Sequence, residues 1–416
     1  MFIRNIKTNE ISPSNDIFSK PNIKQINNND NISSLESLDQ QTPSDVSASI
    51  KKSVKVFLSE NESTPPEILS KLSTSSDDFV RQYVASNPST PKETLISLAS
   101  DKNAYVLSAL AENPSTPANV LRDLANLGRK DVKQAVARNN STPSDVLTDL
   151  SKSDDQLIRG TVAANESITE DVRSILSNDS SPFVRQMVAV NEKTPAILLE
   201  KLSNDSDSKV RQAVAKGKAT PTNLLDKLSN DKDNNVRMNV AMNKNTPSST
   251  LDKLSNDADD FVKVGVATNS STSKNTLLNL SKIVHFEIRY SLAKNPSSPE
   301  NVLQELSVFP HAKIRSLVAE NPSASQSLLK KFASDEEPMI RQAVANNEST
   351  SAELLSKLSD DTDSRTRQFV ARNSNTPENI LKKLANDKNE FIKIGLSENK
   401  KISSEMANQL FDYSNK

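Results

Sequence analysis

From Val54 onward the apolar positions recur every 26 residues. Each unit opens near an aliphatic anchor, as at Val80, Val106, Val132, Ile158, Val184 and Val210, and carries a second Val or Leu four residues later, as at Val84, Val136, Val214 and Val344. The next residue is small, Ala in twelve units and Ser at Ser59 and Ser397. That spacing predicts a first helix whose apolar stripe meets its neighbour closely over the small side chain. Leucines three apart then predict a second, shorter helix, as in Leu95/Leu98, Leu121/Leu124, Leu199/Leu202 and Leu225/Leu228. A helix that short is not stable alone and has to be held by stacking on neighbouring units. The period runs from Val54 to Lys416 without insertion, as thirteen 26-residue units and a 25-residue last one. The expected fold is all-α, a solenoid of two-helix repeats.

The joints carry their own pattern. Two residues beyond the small residue stands Asn, at 61, 87, 113, 139, 165, 191, 243, 269, 295, 321, 347, 373 and 399, with Gly217 as the one substitute. Asn and Gly are the residues that most readily accept φ > 0, so the column is expected to close the first helix in the left-handed conformation. The second helix is announced by phrases such as Thr64-Pro65-Pro66-Glu67 and Thr90-Pro91-Lys92-Glu93. These suggest Thr as N-cap, Pro at the first helical position and the acid reaching back.

Both ends depart from the repeat. Residues 1–41 are polar and rich in Asn and Ser, without a sustained apolar run, and are expected to form a disordered leader with no secretory h-region. Thr42-Pro43-Ser44-Asp45 restarts the Thr-Pro phrase, so 42–53 is expected to be a capping half-repeat ahead of fourteen units at 54–416. At the other end Ala407 and Phe411 replace the usual Leu and Ser or Ala, as suits a terminal cap.

The phrase V-R-x-x-V-A-x-N-x-x-T-P-x-x-L-L-x-x-L-S-x-D, nearly whole at 184–205 and 366–387, resembles the variant leucine-rich repeat family. The resemblance covers about seven-eighths of the chain. It implies a right-handed superhelix of α-helices alternating with short α or 3₁₀ helices, related to HEAT repeats. Some members carry a cysteine-ligated iron–sulfur module, and this chain has no cysteine, so no cofactor is expected.

Charge narrows the function. With 52 basic and 53 acidic residues the net charge is −1, which gives no global attraction for nucleic acid or anionic membrane. No stretch approaches the roughly 18 apolar residues of a membrane span. A basic column follows the aliphatic anchor, including Arg81, Arg185, Arg211, Arg237, Arg341 and Arg367, and only Leu107 interrupts it. It could track a phosphate backbone. Alternatively it pairs with the loop column Asp101, Asp205, Asp231, Asp257 and Asp361, and the resemblance to HEAT-like solenoids implies such a ladder. Regularly spaced opposite charges favour pairing, and a chain without Trp and with four Tyr offers little to stack on bases.

His285 and His311 stand at one offset in successive units, about one repeat apart, which is too far for a shared metal. Around them the repeat loses its rules. Ile283-Val284-His285-Phe286 and Val308-Phe309-Pro310-His311 replace Asp loops, and the column that is Gln at 82, 134, 186, 212, 342 and 368 becomes Met238, Val264 and Tyr290. Local departures of this kind mark contact surfaces, so Met238, Val264, Phe286, Tyr290 and Phe309 are the candidate partner-binding residues.

Serines and carboxylates are periodic, which argues for structure over a catalytic set. A HEAT-like DNA glycosylase would favour net positive charge and a Trp-rich surface, and this chain has neither. The expectation is a non-catalytic, monomeric, cytoplasmic scaffold for a protein partner, with nucleic-acid backbone binding as the alternative. A further alternative comes from the start Met-Phe-Ile-Arg-Asn-Ile and its Ser/Asn-rich continuation, which resemble the N-termini of bacterial secretion-system effectors.

If units contact mainly their neighbours, deleting one period, residues 210–235, rejoins compatible faces and leaves a helical, cooperatively melting protein. Deleting half a period at the same place unfolds it. Circular dichroism with thermal melting distinguishes the two.

Overall fold

The structure, a computed structural model, describes residues 43–414, so the expected leader at 1–41 lies outside the described residues. Among them all regular structure is α-helical, and from Asp78 to Ala385 nine-residue helices alternate with helices of seven or eight. The short helices are α-helical. Residues Pro43–Glu60 form one 18-residue helix, so the 53/54 boundary expected from the sequence falls inside a continuous element.

The chain divides into two compact units, one ending at Ser141 and the other beginning at Thr142. In the first, the long helices Asp78–Ser86, Ala104–Glu112 and Lys130–Arg138 pack one on the next. In the second, the same succession runs from Gln156–Ala164 to Phe391–Ser397. Within each unit the short helices lie against the long helices beside them in sequence. The predicted anchors form the core. In the second unit Val184, Val188, Val210, Val214, Val236 and Val240 are fully buried, together with Leu225 and Leu251 of the short helices. The small column is also closed off, with Ala215, Ala241 and Ala267 fully buried where successive helices meet. At Gly265 the approach is close as well, since an added Cβ would stand 2.9 Å from the Ala241 Cβ.

The left-handed helix stop expected of the Asn column is not what forms. Gly217 has φ −60° and ψ 134°, and the asparagines match it, Asn269 at φ −75° and ψ 123° for example. Among the described residues only Gly128 has positive φ, at 72°. What selects Asn is its amide. Asn269 donates from Nδ2 to the Ala241 carbonyl at 2.8 Å and to the Asn243 carbonyl at 2.9 Å, both in the preceding repeat. Its Oδ1 accepts the Ser271 N–H at 2.9 Å. The same triad recurs at Asn113, Asn243, Asn295, Asn321, Asn347, Asn373 and Asn399. A carboxylate cannot donate these bonds and a longer amide would misplace them, which limits the column to Asn. Gly217 interrupts the ladder: the Ala189 carbonyl, on a residue only 2% exposed, receives no amide from it.

The Thr-Pro phrase also works differently from the expected cap. Thr90 is buried and donates backwards from Oγ1 to the Val84 carbonyl at 2.6 Å, closing the end of the long helix. Thr116, Thr194, Thr272 and Thr350 do the same. The N-cap of the short helix is the proline itself, as at Pro91 with φ −57° and ψ 146°. Its fixed φ suits an entry whose carbonyl opens the helix ladder. Where Ser or Thr replaces that proline, at Thr169, Ser273, Ser325 and Ser351, the hydroxyl caps by accepting the N–H three residues on.

Asn269→Ala leaves the Ala241 carbonyl without a donor and takes one of two donors from the Asn243 carbonyl, which keeps the Thr246 N–H, and is expected to cost about 2 kcal/mol. Gly217→Asn supplies a missing rung and should raise the melting temperature, whereas a left-handed stop would make it neutral. Thermal unfolding of the two variants against wild type checks both.

Candidate functional site

The arginines of the basic column project between successive loops. Arg185 offers Nε to Asp205 Oδ2 at 2.6 Å and an Nη to Oδ1 at 2.8 Å, while its other Nη donates to the Asp179 carbonyl at 2.7 Å. Asp179 is in turn held by Arg159. The result is a continuous chain through Arg211–Asp231 and Arg237–Asp257, each Arg binding the Asp twenty residues on and the carbonyl six residues back. Arg315–Asp335, Arg341–Asp361 and Arg367–Asp387 continue it, and Arg81–Asp101 has the same geometry in the first unit. The side chains are largely shielded, 7% exposed for Arg211 and 8% for Asp231. Each Asp also accepts the N–H two residues later, which shapes the loop, as Asp205 does from Asp207.

A lysine ladder runs beside it on the short helices. Lys201, Lys227, Lys253, Lys331 and Lys383 each reach a serine hydroxyl of the preceding repeat, at 3.0–3.2 Å.

The ladder stops at one sector of the second unit. The residues twenty beyond Lys263 and Arg289 are Ile283 and Phe309. Lys263 turns back to Asp260 at 2.8 Å. The Arg289 guanidinium lies over the Phe309 ring, 4.7 Å from its centroid. The two loops without Asp expose Val284 at 84% and Val308 at 69%.

The sequence-derived candidates distribute as follows. Met238, Val264 and Tyr290 are half-buried at one offset on the successive helices Asn234–Met242, Asp260–Thr268 and Phe286–Lys294. Phe286 is 42% exposed, with its ring 6.3 Å from Tyr290 and 5.0 Å, edge-on, from His311. Phe309 is half-buried under Arg289. The histidines take the N-cap positions of two successive long helices without capping them. His285 Nδ1 stands 3.2 Å from Glu287 Oε2, but the alignment makes no hydrogen bond. Among the described residues no group of three or more His, Cys, Asp or Glu could hold a metal ion.

Two features escaped the sequence reading. Asp77, Asp155, Asp207, Asp233, Asp259 and Asp363 cap the long helices, each accepting an N–H of the first turn, and their shared offset was the available signal. Arg173 occupies the column that is Leu at 147, 199 and 225, and it is 3% exposed with Nε unpaired. Burial lowers its pKa from the ordinary arginine value, against the opposing charge of Glu170.

Residues 81–140 match the family model described as the Leucine Rich Repeat Variant domain. Among solved structures, one described as a leucine-rich repeat variant with a novel repetitive structural motif is 22% identical, with a TM-score of 0.35, covering 59% of this chain and 87% of that one. An engineered protein solved by crystallography is 19% identical, with a TM-score of 0.22, covering 86% of this chain and 95% of that one. None of the curated proteins compared with the chain matches it.

Electrostatics make the ladder pH-dependent. Burial opposes ionisation of Asp205 and Asp231, but the arginine fork and a backbone N–H outweigh it and hold both carboxyls below the ordinary range. At Asp257 and Asp387 the arginine bond is the largest influence, with the same result. A folded value below the unfolded one means stability fully present above about pH 4 and lost as pH falls through the lowered values. Asp231→Asn is therefore expected to be less stable than wild type at neutral pH, with the gap narrowing toward pH 3. Chemical denaturation at a series of pH values measures it.

Proposed function

We propose that this chain is a non-catalytic scaffold that binds another protein through a face of its repeat array, with the contact centred on Met238, Val264, Phe286, Tyr290 and Phe309. The observation that supports it is a coincidence of departures. Where two successive Asp rungs are missing, apolar side chains replace them, and Val284 and Val308 stand in solvent. Exposed apolar clusters mark contact surfaces. The arginine column, which could have tracked a phosphate backbone, is paired with aspartates in eight rungs, and this weighs against the nucleic-acid reading. Action as a monomer in the cytoplasm belongs to the same reading.

Anchors buried at an interface commonly cost 2 kcal/mol or more when truncated to Ala, about 30-fold in affinity. Phe286→Ala with Tyr290→Ala should therefore remove the proteins captured by immobilised wild-type chain while leaving the melting temperature near wild type. Unchanged capture by the double variant, or retention of the chain on DNA at physiological salt, overturns the reading.

A further inference from the structure

The ladder identifies one arginine whose acid is missing. Nine described members of the basic column are arginine, and eight of them bond the Asp twenty residues on, seven with a two-pronged fork and Arg315 through Nε alone at 3.4 Å. Arg289 is the ninth, and its counterpart is Phe309. The guanidinium carbon lies over that ring, 4.7 Å from the centroid. An aromatic ring attracts the charge but does not take up the guanidinium N–H donors as a carboxylate fork would, so the donors are left for another acceptor. Arg289 has no carboxylate partner among the described residues, and its side chain is only half-buried.

The surrounding charges lean the same way. Of the acids in the sector, Asp260 is engaged by Lys263 at 2.8 Å and Glu305 accepts from the Ser281 hydroxyl at 3.2 Å, while Glu287 stands 3.2 Å from His285 without a hydrogen bond. The cations are not paired with acids. Lys282 meets only the Asn279 side-chain oxygen, at 3.3 Å, and Lys294 stands 5.8 Å from the Tyr290 ring. Lys313 is exposed and forms no ion pair among the described residues. The exposed Val284, Phe286 and Val308 thus share a stretch of the repeat with four cations, Lys282, Arg289, Lys294 and Lys313, that have no carboxylate partner among the described residues.

We propose that this sector takes an acidic segment of a partner protein, whose apolar side chains cover Val284, Phe286 and Val308 and whose Asp or Glu occupies the Arg289 fork. The partner's carboxylate does for Arg289 what Asp205 does for Arg185 within the chain. This rests on the protein-binding reading above and adds the chemistry of the occupant.

Two fluorescein-labelled amphipathic peptides with identical leucine and phenylalanine positions, one flanked by glutamates and one by lysines, are titrated against the full chain by anisotropy. The glutamate peptide should bind about 10-fold tighter or more at low salt, and the difference should shrink as salt rises. Phe309→Asp restores the internal rung, so it should keep or raise the melting temperature and abolish the preference for glutamate. Arg289→Met should abolish the preference too, whereas Phe309→Ala, which leaves the fork unpaired, should retain it. Equal affinity for the two peptides, or a glutamate preference that survives Phe309→Asp and Arg289→Met, overturns the proposal. If Val284→Asp with Val308→Asp still weakens both peptides, only the acidic occupant is refuted. If neither peptide responds to any of these variants, the protein-binding reading of this sector falls with it.

Discussion

A buried backbone carbonyl at the end of each long helix is the constraint around which the repeat is organised. A nine-residue helix leaves its last carbonyls without intrahelical donors, and here those ends are packed against another repeat and shielded from water. The asparagine amide resolves this by serving the previous repeat, bonding the carbonyls 28 and 26 residues back, as Asn269 does to Ala241 and Asn243. Each rung therefore needs its predecessor in register. The threonine that closes its own helix, Thr272 on Val266, completes the arrangement. Period, register and the identity of the joint residue follow from one hydrogen-bonding requirement.

Around that buried seam the charged ladders do a second job. The arginine fork holds the carboxylate of one loop and the carbonyl of another, so it sets the separation of successive loops, as Arg211 does between Asp231 and Asp205. Half-shielded pairs of this kind add modest stability but strong geometry. Where the loop acid is lost, the arginine is lost or reassigned with it. Leu107 has Leu127 twenty residues on, Lys263 turns to Asp260, and Arg289 lies over the Phe309 ring. The same two missing acids turn a clamped polar loop edge into an exposed apolar one at Val284 and Val308. A repeat protein has no central cavity in which to build a site, so its individuality is written into such departures.

Legibility followed the same division. The anchors Val210 and Val214, the small Ala215 and the leucines of the short helices were readable because a period of 26 aligns them fourteen times and an apolar stripe needs no partner to be recognised. The aspartates and arginines were readable as columns. Their offset of twenty residues, which ties the Arg–Phe309 exception to a missing acid, was not, because pairing depends on how the loop folds back across the short helix.

The sequence by itself determined an all-α array of two-helix units and the sector at 283–311 where the rule lapses. These depend on local periodicity and residue size. Only the tertiary structure decided what the joints do. Asn and Gly at one position suggested a left-handed turn, since their shared local property is tolerance of positive φ. The folded chain has ordinary φ there and uses the amide to reach a neighbour 26 residues away. Backbone preference is a property of one residue, whereas a hydrogen bond across repeats exists only once two of them are stacked.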